Sequence, residues 1–317
     1  MEFVCLLWQL NAYKIPDSVT SMSERVFANS FKTAIYCQAK SQPESWPSSW
    51  NSYGRPVIWD CDNNDVADDG NIYKVVDGVR YTLKDGVATV GYQPMNIISA
   101  NILSSVTHKD VEYPVTSIQD DAFNGRSNLT SVVIGDGITS IGESAFFNCS
   151  NLISVEIGSG VQSLHENTFA YCNNLTSIEV SENNTKYCDI DGNLYAKKEK
   201  GLWLIQYSIG KTATQFIIPD EVIWIDSNAF CDAINLTSVV IPGGIKQISS
   251  ATFSYCENLT SAYYCGSEFS ENWKSILEYV DGENPIPNAT VYFYSETVSK
   301  NCWHYDENGV VVLWNED

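Results

Sequence analysis

Asp60, Asp62 and Asn64 stand at alternate positions, the spacing at which oxygen ligands enter a calcium loop. The pattern then breaks. The sixth position is Asp65, where the sharp turn needs Gly, and the twelfth is Asn71, where a bidentate Glu belongs. The stretch therefore reads as a solvated acidic linker, and no metal is expected there. His108, His165 and His304 lie far apart in sequence, so neither a catalytic triad nor a metal cluster is expected of them. The ten cysteines include no CxxC pair, which removes the zinc-ribbon and thioredoxin-like chemistries. No enzyme activity and no cofactor are expected.

Cys149 and Cys172 are 23 residues apart, and Cys256 falls at the same position relative to its own Phe. Stacked strands about 4.8 Å apart are close enough for a disulfide, but their Cβ vectors run parallel, so buried thiols are expected instead. Asn128, Asn151, Asn174, Asn235 and Asn258 share another column, and all but Asn151 begin an Asn-Leu-Thr sequon. Glycosylation is one reading. A buried ladder of amides that satisfies the adjacent turn is the favoured one, as it is for the column Ser131, Ser154, Ser177, Ser238 and Ser261. Lys186, Lys197, Lys198, Lys200 and Lys211 cluster in an otherwise acidic chain. They could meet an acidic partner, but protection of an exposed strand edge is the simpler role.

The elements that carry these columns repeat. Ile118, Ile141 and Leu164 are spaced by 23 residues, as are Phe123, Phe146 and Phe169, and Ile134, Ile157 and Val180. The register returns with Phe216, Ile218, Ile225, Phe230, Leu236, Val239 and Ile241, then Ile248, Phe253 and Leu259. Each unit reads Asn-Leu-x-x-Val-x-Ile, a turn, a short Val-x-x-Ile piece and x-x-x-Ala-Phe. The Val-x-Ile alternation predicts a short strand with one buried face. Glu-Ser-Ala-Phe at 143–146 predicts a helical or 3₁₀ turn that drops the Phe inward. One unit cannot close its own core, whereas stacked units share an apolar spine. The fold class is thus a mainly β repeat solenoid of short stacked parallel strands and short turns.

The segment NLTSVVIGDGITSIGESAFFNC at 128–149 resembles the BspA-like leucine-rich repeats, a family of secreted and surface proteins, and similar units run over about 118–264. The resemblance implies a curved solenoid, extracellular or cell-surface exposure, and a role in adhesion or protein recognition. It carries over no catalytic residues.

Four regions are expected. Residues 1–60 end a first array, since Ile15, Val19 and Met22 repeat the spacing of Ile241, Ile245 and Ile248, with Leu10, Tyr13 and Phe27 in matching places. The chain thus begins in mid-repeat, and Phe3–Leu10 reads as repeat core rather than a targeting signal. Residues 61–117 hold the linker and a hairpin at 81–92 that caps the next array. Residues 118–264 are repeats, interrupted at 181–215 by a projecting hairpin. Residues 265–317 form a final cap, aromatic-rich like 34–59; the segment 263–276 opens it.

Charge limits the partners. With 39 acidic and 18 basic side chains the net charge is −21, which repels nucleic acid and anionic membranes. No stretch approaches the roughly 18–20 apolar residues that span a bilayer. A protein or glycan ligand remains, bound by a non-catalytic module. The alternatives are a structural spacer, or an enzyme scaffold with its site in 34–72 or 263–317. Strand alternation points one residue per unit outward, which nominates Val133, Glu156, Glu179, Ile217, Val240 and Tyr263 as one exposed binding column. Replacing Tyr263 or Glu179 should then weaken binding without lowering the melting temperature.

Overall fold

A computed structural model describes residues 71–165, 167–249, 251–266, 289–297 and 302–314, preceded by 5–7, 12–15, 19–23, 35–37, 39, 41–50 and 57–58. Leu10, Phe27, the calcium-like Asp60, Asp62 and Asn64, the linker residues 60–70 and most of 263–276 lie outside the described residues.

The Val-x-Ile segments form parallel strands stacked in register. Ser131–Ile134, Ser154–Ile157 and Ser177–Val180 align Val132 with Val155 and Ile178, and Ile134 with Ile157 and Val180. The stack reaches back one strand further than the 23-residue spacing indicated, to Ser99–Ile102. A second stack runs Gln215–Ile217, Ser238–Ile241, Ser261–Tyr264 and Thr290–Tyr294. Cys302–Tyr305 extends it in parallel, and antiparallel Val311–Leu313 ends it. Ahead of these, Ala12–Ile15, Ile35–Cys37 and Val57–Ile58 pair in parallel around Ile15, Val19, Trp46 and Trp50.

The Phe residues build the spine. Phe123, Phe146 and Phe169 are fully buried and stacked, with ring centroids 4.8 and 5.4 Å apart, and Phe230 stacks on Phe253 at 4.7 Å. Each such side chain contributes about 1.5–3 kcal/mol of burial. The coils approach so closely that a Cβ on Gly160 would lie 2.0 Å from the Asp136 carbonyl oxygen. Only Gly fits that turn.

The expected helical turn before each Phe is absent among the described residues. Those segments are irregular turns holding two left-handed residues four apart, such as Ser144 and Asn148 or Asn228 and Asp232. Their amides are spent on the next coil: the Phe123, Phe146 and Phe230 N–H groups donate to the carbonyls of Ala145, Thr168 and Thr252. A helix would need those donors for itself.

The hairpins are also larger than the sequence indicated. Residues 72–90 form a three-stranded antiparallel meander, Ile72–Val76, Val79–Lys84 and Val87–Val90, whose last strand pairs in parallel with Val111–Ile118. Residues 187–206 repeat the arrangement with Tyr187–Ile190, Asn193–Lys198 and Gly201–Gln206, the last in parallel with Val222–Ile225. This second meander does not project. Leu194 and Ala196 pack into the first spine, while Tyr195 and Leu204 pack into the second. Alternation puts one face of each strand toward each spine, so the meander is a wall between two cores.

Candidate functional site

Between the buried columns of the first stack, Val133, Glu156 and Glu179 fall in register with one another and with Asn101. All three are exposed, Val133 at 37%. They line a depression of about 420 Å³ together with Asp136 and Glu182, and no Lys or Arg borders it. The Ser159 backbone N–H and hydroxyl both donate to Asp136, at 2.7 and 2.9 Å, and hold its carboxyl below the usual range. Glu156 sits directly opposite Glu179. Like charges so placed on adjacent strands are destabilising, and nothing in the fold requires acids at these outward positions.

The other three nominated residues belong to a different sheet, on the far side of the meander. Ile217, Val240 and Tyr263 align with one another and with Tyr292. Ile217 is 54% exposed, but Val240 is only 1% exposed. It stands in register between Ile217 and Tyr263, on the face away from the spine that holds Val239 and Ile241, and is covered there. Val240 is therefore buried and not an exposed contact residue. Tyr263 is half-buried: its ring stacks on Tyr292 at 5.5 Å and meets the edge of buried Trp303 at 5.9 Å. Replacing Tyr263 would thus cost stability, contrary to the expectation from alternation alone. Alternation nominated the residues but could not show that the column is broken in two. Asp136 and Glu182, missed because they lie in turns, complete the acidic half.

The remaining side chains take structural roles. Cys149, Cys172 and Cys256 are free and buried, and each thiol donates to the carbonyl of a Phe one coil back, at 3.1, 3.2 and 3.0 Å. Burial pushes the Cys256 thiol up to about 12, keeping it a donor. The Asn column is a ladder, as expected: Asn151, Asn174, Asn235 and Asn258 donate to carbonyls one coil back at 2.7–2.9 Å. It lies at the surface, however, because it bonds the outer turn of each coil. The Ser residues pair in register, Ser131 with Ser154 and Ser177, and Ser238 with Ser261. Lys197 donates to the Asn184 carbonyl at 2.7 Å, and Lys211 donates to Asn193 at 3.1 Å. His108 is buried, His165 is exposed, and the His304 ring stacks on Trp314 at 3.7 Å. Among the described residues no group of three or more His, Cys, Asp or Glu is placed to hold a metal ion, and no helix is long and apolar enough to cross a membrane.

The BspA type leucine rich repeat region matches in six copies, over residues 96–191 and 208–303, more than half of the chain. Among solved structures, a leucine-rich repeat protein from Bacteroides ovatus is 24% identical, with 72% of this chain and 56% of that one covered at a TM-score of 0.44. The leucine rich repeat protein TpLRR of T. pallidum is 19% identical, covering 60% and 70% at a TM-score of 0.35. A leucine rich cell surface protein from Faecalibacterium prausnitzii is 18% identical, covering 71% and 95% at 0.26. No curated protein matches.

Proposed function

The chain belongs to the BspA-type leucine-rich repeat family, and from that membership we propose that it is a non-catalytic recognition module, displayed outside the cell, that holds a protein ligand against its strand face. The acidic depression at Val133, Glu156 and Glu179 is the contact surface, and the ligand presents a basic segment to it. One observation carries this reading. Glu156 and Glu179 are held in register and exposed, at a cost to stability that folding does not require. A cationic segment laid along the column removes that repulsion on binding, so the charge pair favours the complex. Exposed Val133 supplies an apolar contact beside it. Ile217 extends the surface past the meander, although Val240 and Tyr263 do not act as free anchors.

The test is a binding screen of the intact chain against purified extracellular proteins, followed by affinity measurement with Glu179→Lys and Ile217→Ala. Both variants should weaken binding at unchanged melting temperature, and the wild-type affinity should fall as salt rises. Affinities that match the wild type in both variants would move the site off the strand face.

A further inference from the structure

The sequence holds two Asn-Gly pairs, Asn124-Gly125 and Asn308-Gly309. Such a pair can react with itself. The side-chain carbonyl carbon of the Asn lies one ring closure away from the backbone nitrogen that follows, and Gly has no side chain to shield that nitrogen. Both glycines adopt left-handed backbone, with φ of 70° and 75°, and a Cβ added to either would meet nothing within 4 Å. Local sterics therefore do not separate the two pairs, but their surroundings do.

Asn124 is built into the spine. It is half-buried, its amide donates to Asp121 Oδ1 at 2.6 Å, and its carbonyl accepts the buried Arg126 guanidinium. The Gly125 N–H donates to the Phe147 carbonyl of the next coil at 2.8 Å. Freeing that nitrogen means parting two coils. Asn308 instead stands exposed at the tip of the hairpin that joins Cys302–Tyr305 to Val311–Leu313. Its bonds are also made, but all within the tip. The Asn308 and Val310 N–H groups each donate to Asp306 Oδ1 at 2.8 Å, and the Asn308 side-chain amide donates to the same carboxyl. The Gly309 N–H donates to the Asp306 carbonyl at 3.0 Å. Opening these exposed bonds disturbs no coil, and local opening of this kind needs far less free energy than opening a core.

We propose that Asn308 is a site of spontaneous conversion to aspartate and isoaspartate, with water as the only co-reactant. Asp306 and Glu307 in the tip, and His304 beside it, are too weak as bases to take an amide proton, so hydroxide takes it. The Gly309 nitrogen then bonds to Asn308 Cγ, ammonia leaves from that carbon, and a five-membered imide closes. Water opens the imide at either carbonyl. One opening gives aspartate, and the other gives isoaspartate, in which the main chain runs through Cβ and is one atom longer. That extra atom enters the tip that Asp306 pins, where the Asp306 N–H also donates to the Val310 carbonyl at 2.9 Å. Val311–Leu313 is the last strand of its sheet and pairs on one side only, so isoaspartate loosens the closing strand. The site is separate from the acidic strand face and does not depend on it.

The intact chain should be held in mildly alkaline buffer and sampled over time by peptide mass mapping, with isoaspartate read by a protein-isoaspartate methyltransferase. Both products should accumulate at Asn308. Asn124 should convert at least about tenfold more slowly, the factor set by about 1.4 kcal/mol of additional bonding to be broken. In urea-denatured chain the two sites should convert at similar rates, because the difference lies in the fold. The proposal is overturned if Asn308 stays intact in the folded chain while converting in urea, or if folded Asn124 converts as fast as Asn308. Amide hydrogen exchange tests the consequence. Val311–Leu313 should exchange faster in the isoaspartate fraction than in the Asn308→Asp variant, which carries the charge without the longer backbone. Equal exchange in the two would overturn the loosening of the strand.

Discussion

Reversing one charge in the strand-face column should make the protein more stable while removing its function. Glu156 opposes Glu179 in register, both exposed. Adjacent strands lie about 4.8 Å apart, and two like unit charges about 5 Å apart in water repel by about 0.8 kcal/mol. Glu156→Lys turns that repulsion into an attraction of similar size. Screening over a Debye length of about 10 Å at 0.1 M salt reduces the full swing to about 1 kcal/mol, within reach of the cross-strand pair energies measured in sheets. Urea denaturation, which adds no ions, should therefore place the variant's midpoint above the wild type's at low ionic strength. At about 1 M NaCl, where the Debye length is about 3 Å, the two curves should merge. A variant less stable than wild type, or a gain that salt does not alter, would show that the Glu156–Glu179 repulsion does not exist.

The spine makes a second demand. Phe146 is stacked between Phe123 and Phe169 with no exposure, so Phe146→Ala should cost about 3–5 kcal/mol, and coincident denaturation midpoints would remove it from the core. A third concerns acid. The Ser159 bonds depress the Asp136 carboxyl in the folded state, so its ionisation stabilises the fold above the unfolded value of about 3.9, and that contribution is lost as the pH falls through the lower, folded value. Asp136→Asn should accordingly fall short of wild type by a constant amount near neutral pH, with the gap closing only below about pH 3.9; a gap that stays open in acid would refute the charge-based account.

The spine was legible because packing dictates it. Ile134, Ile157 and the Phe column each need the same side chain at every turn of the coil, so the period is printed in the sequence. The outward column was legible by alternation, and Glu156 and Glu179 stand where alternation put them. Val240 was not, because its burial comes from what the rest of the chain places over that face of the sheet, which one strand's alternation does not contain. The wall between the spines was also hidden. Asn193–Lys198 has both faces covered at Leu194, Tyr195 and Ala196, so it lacks the alternation of a one-sided strand, and Lys197 and Lys198 at its end read as surface. The signal that was there is the repetition of Asp77-Gly78 and Tyr81 in Asp191-Gly192 and Tyr195, which marks the same meander twice.

The central claim, that the acidic strand face is the recognition surface, is tested most directly by one paired measurement. Wild-type chain and the double variant Glu156→Lys/Glu179→Lys are applied side by side to an array of purified extracellular proteins, after circular dichroism has shown equal folding. Binding of the wild type to a protein with an exposed basic segment, and loss of that signal in the double variant, is the predicted result. The same proteins bound with the same strength by both would contradict it.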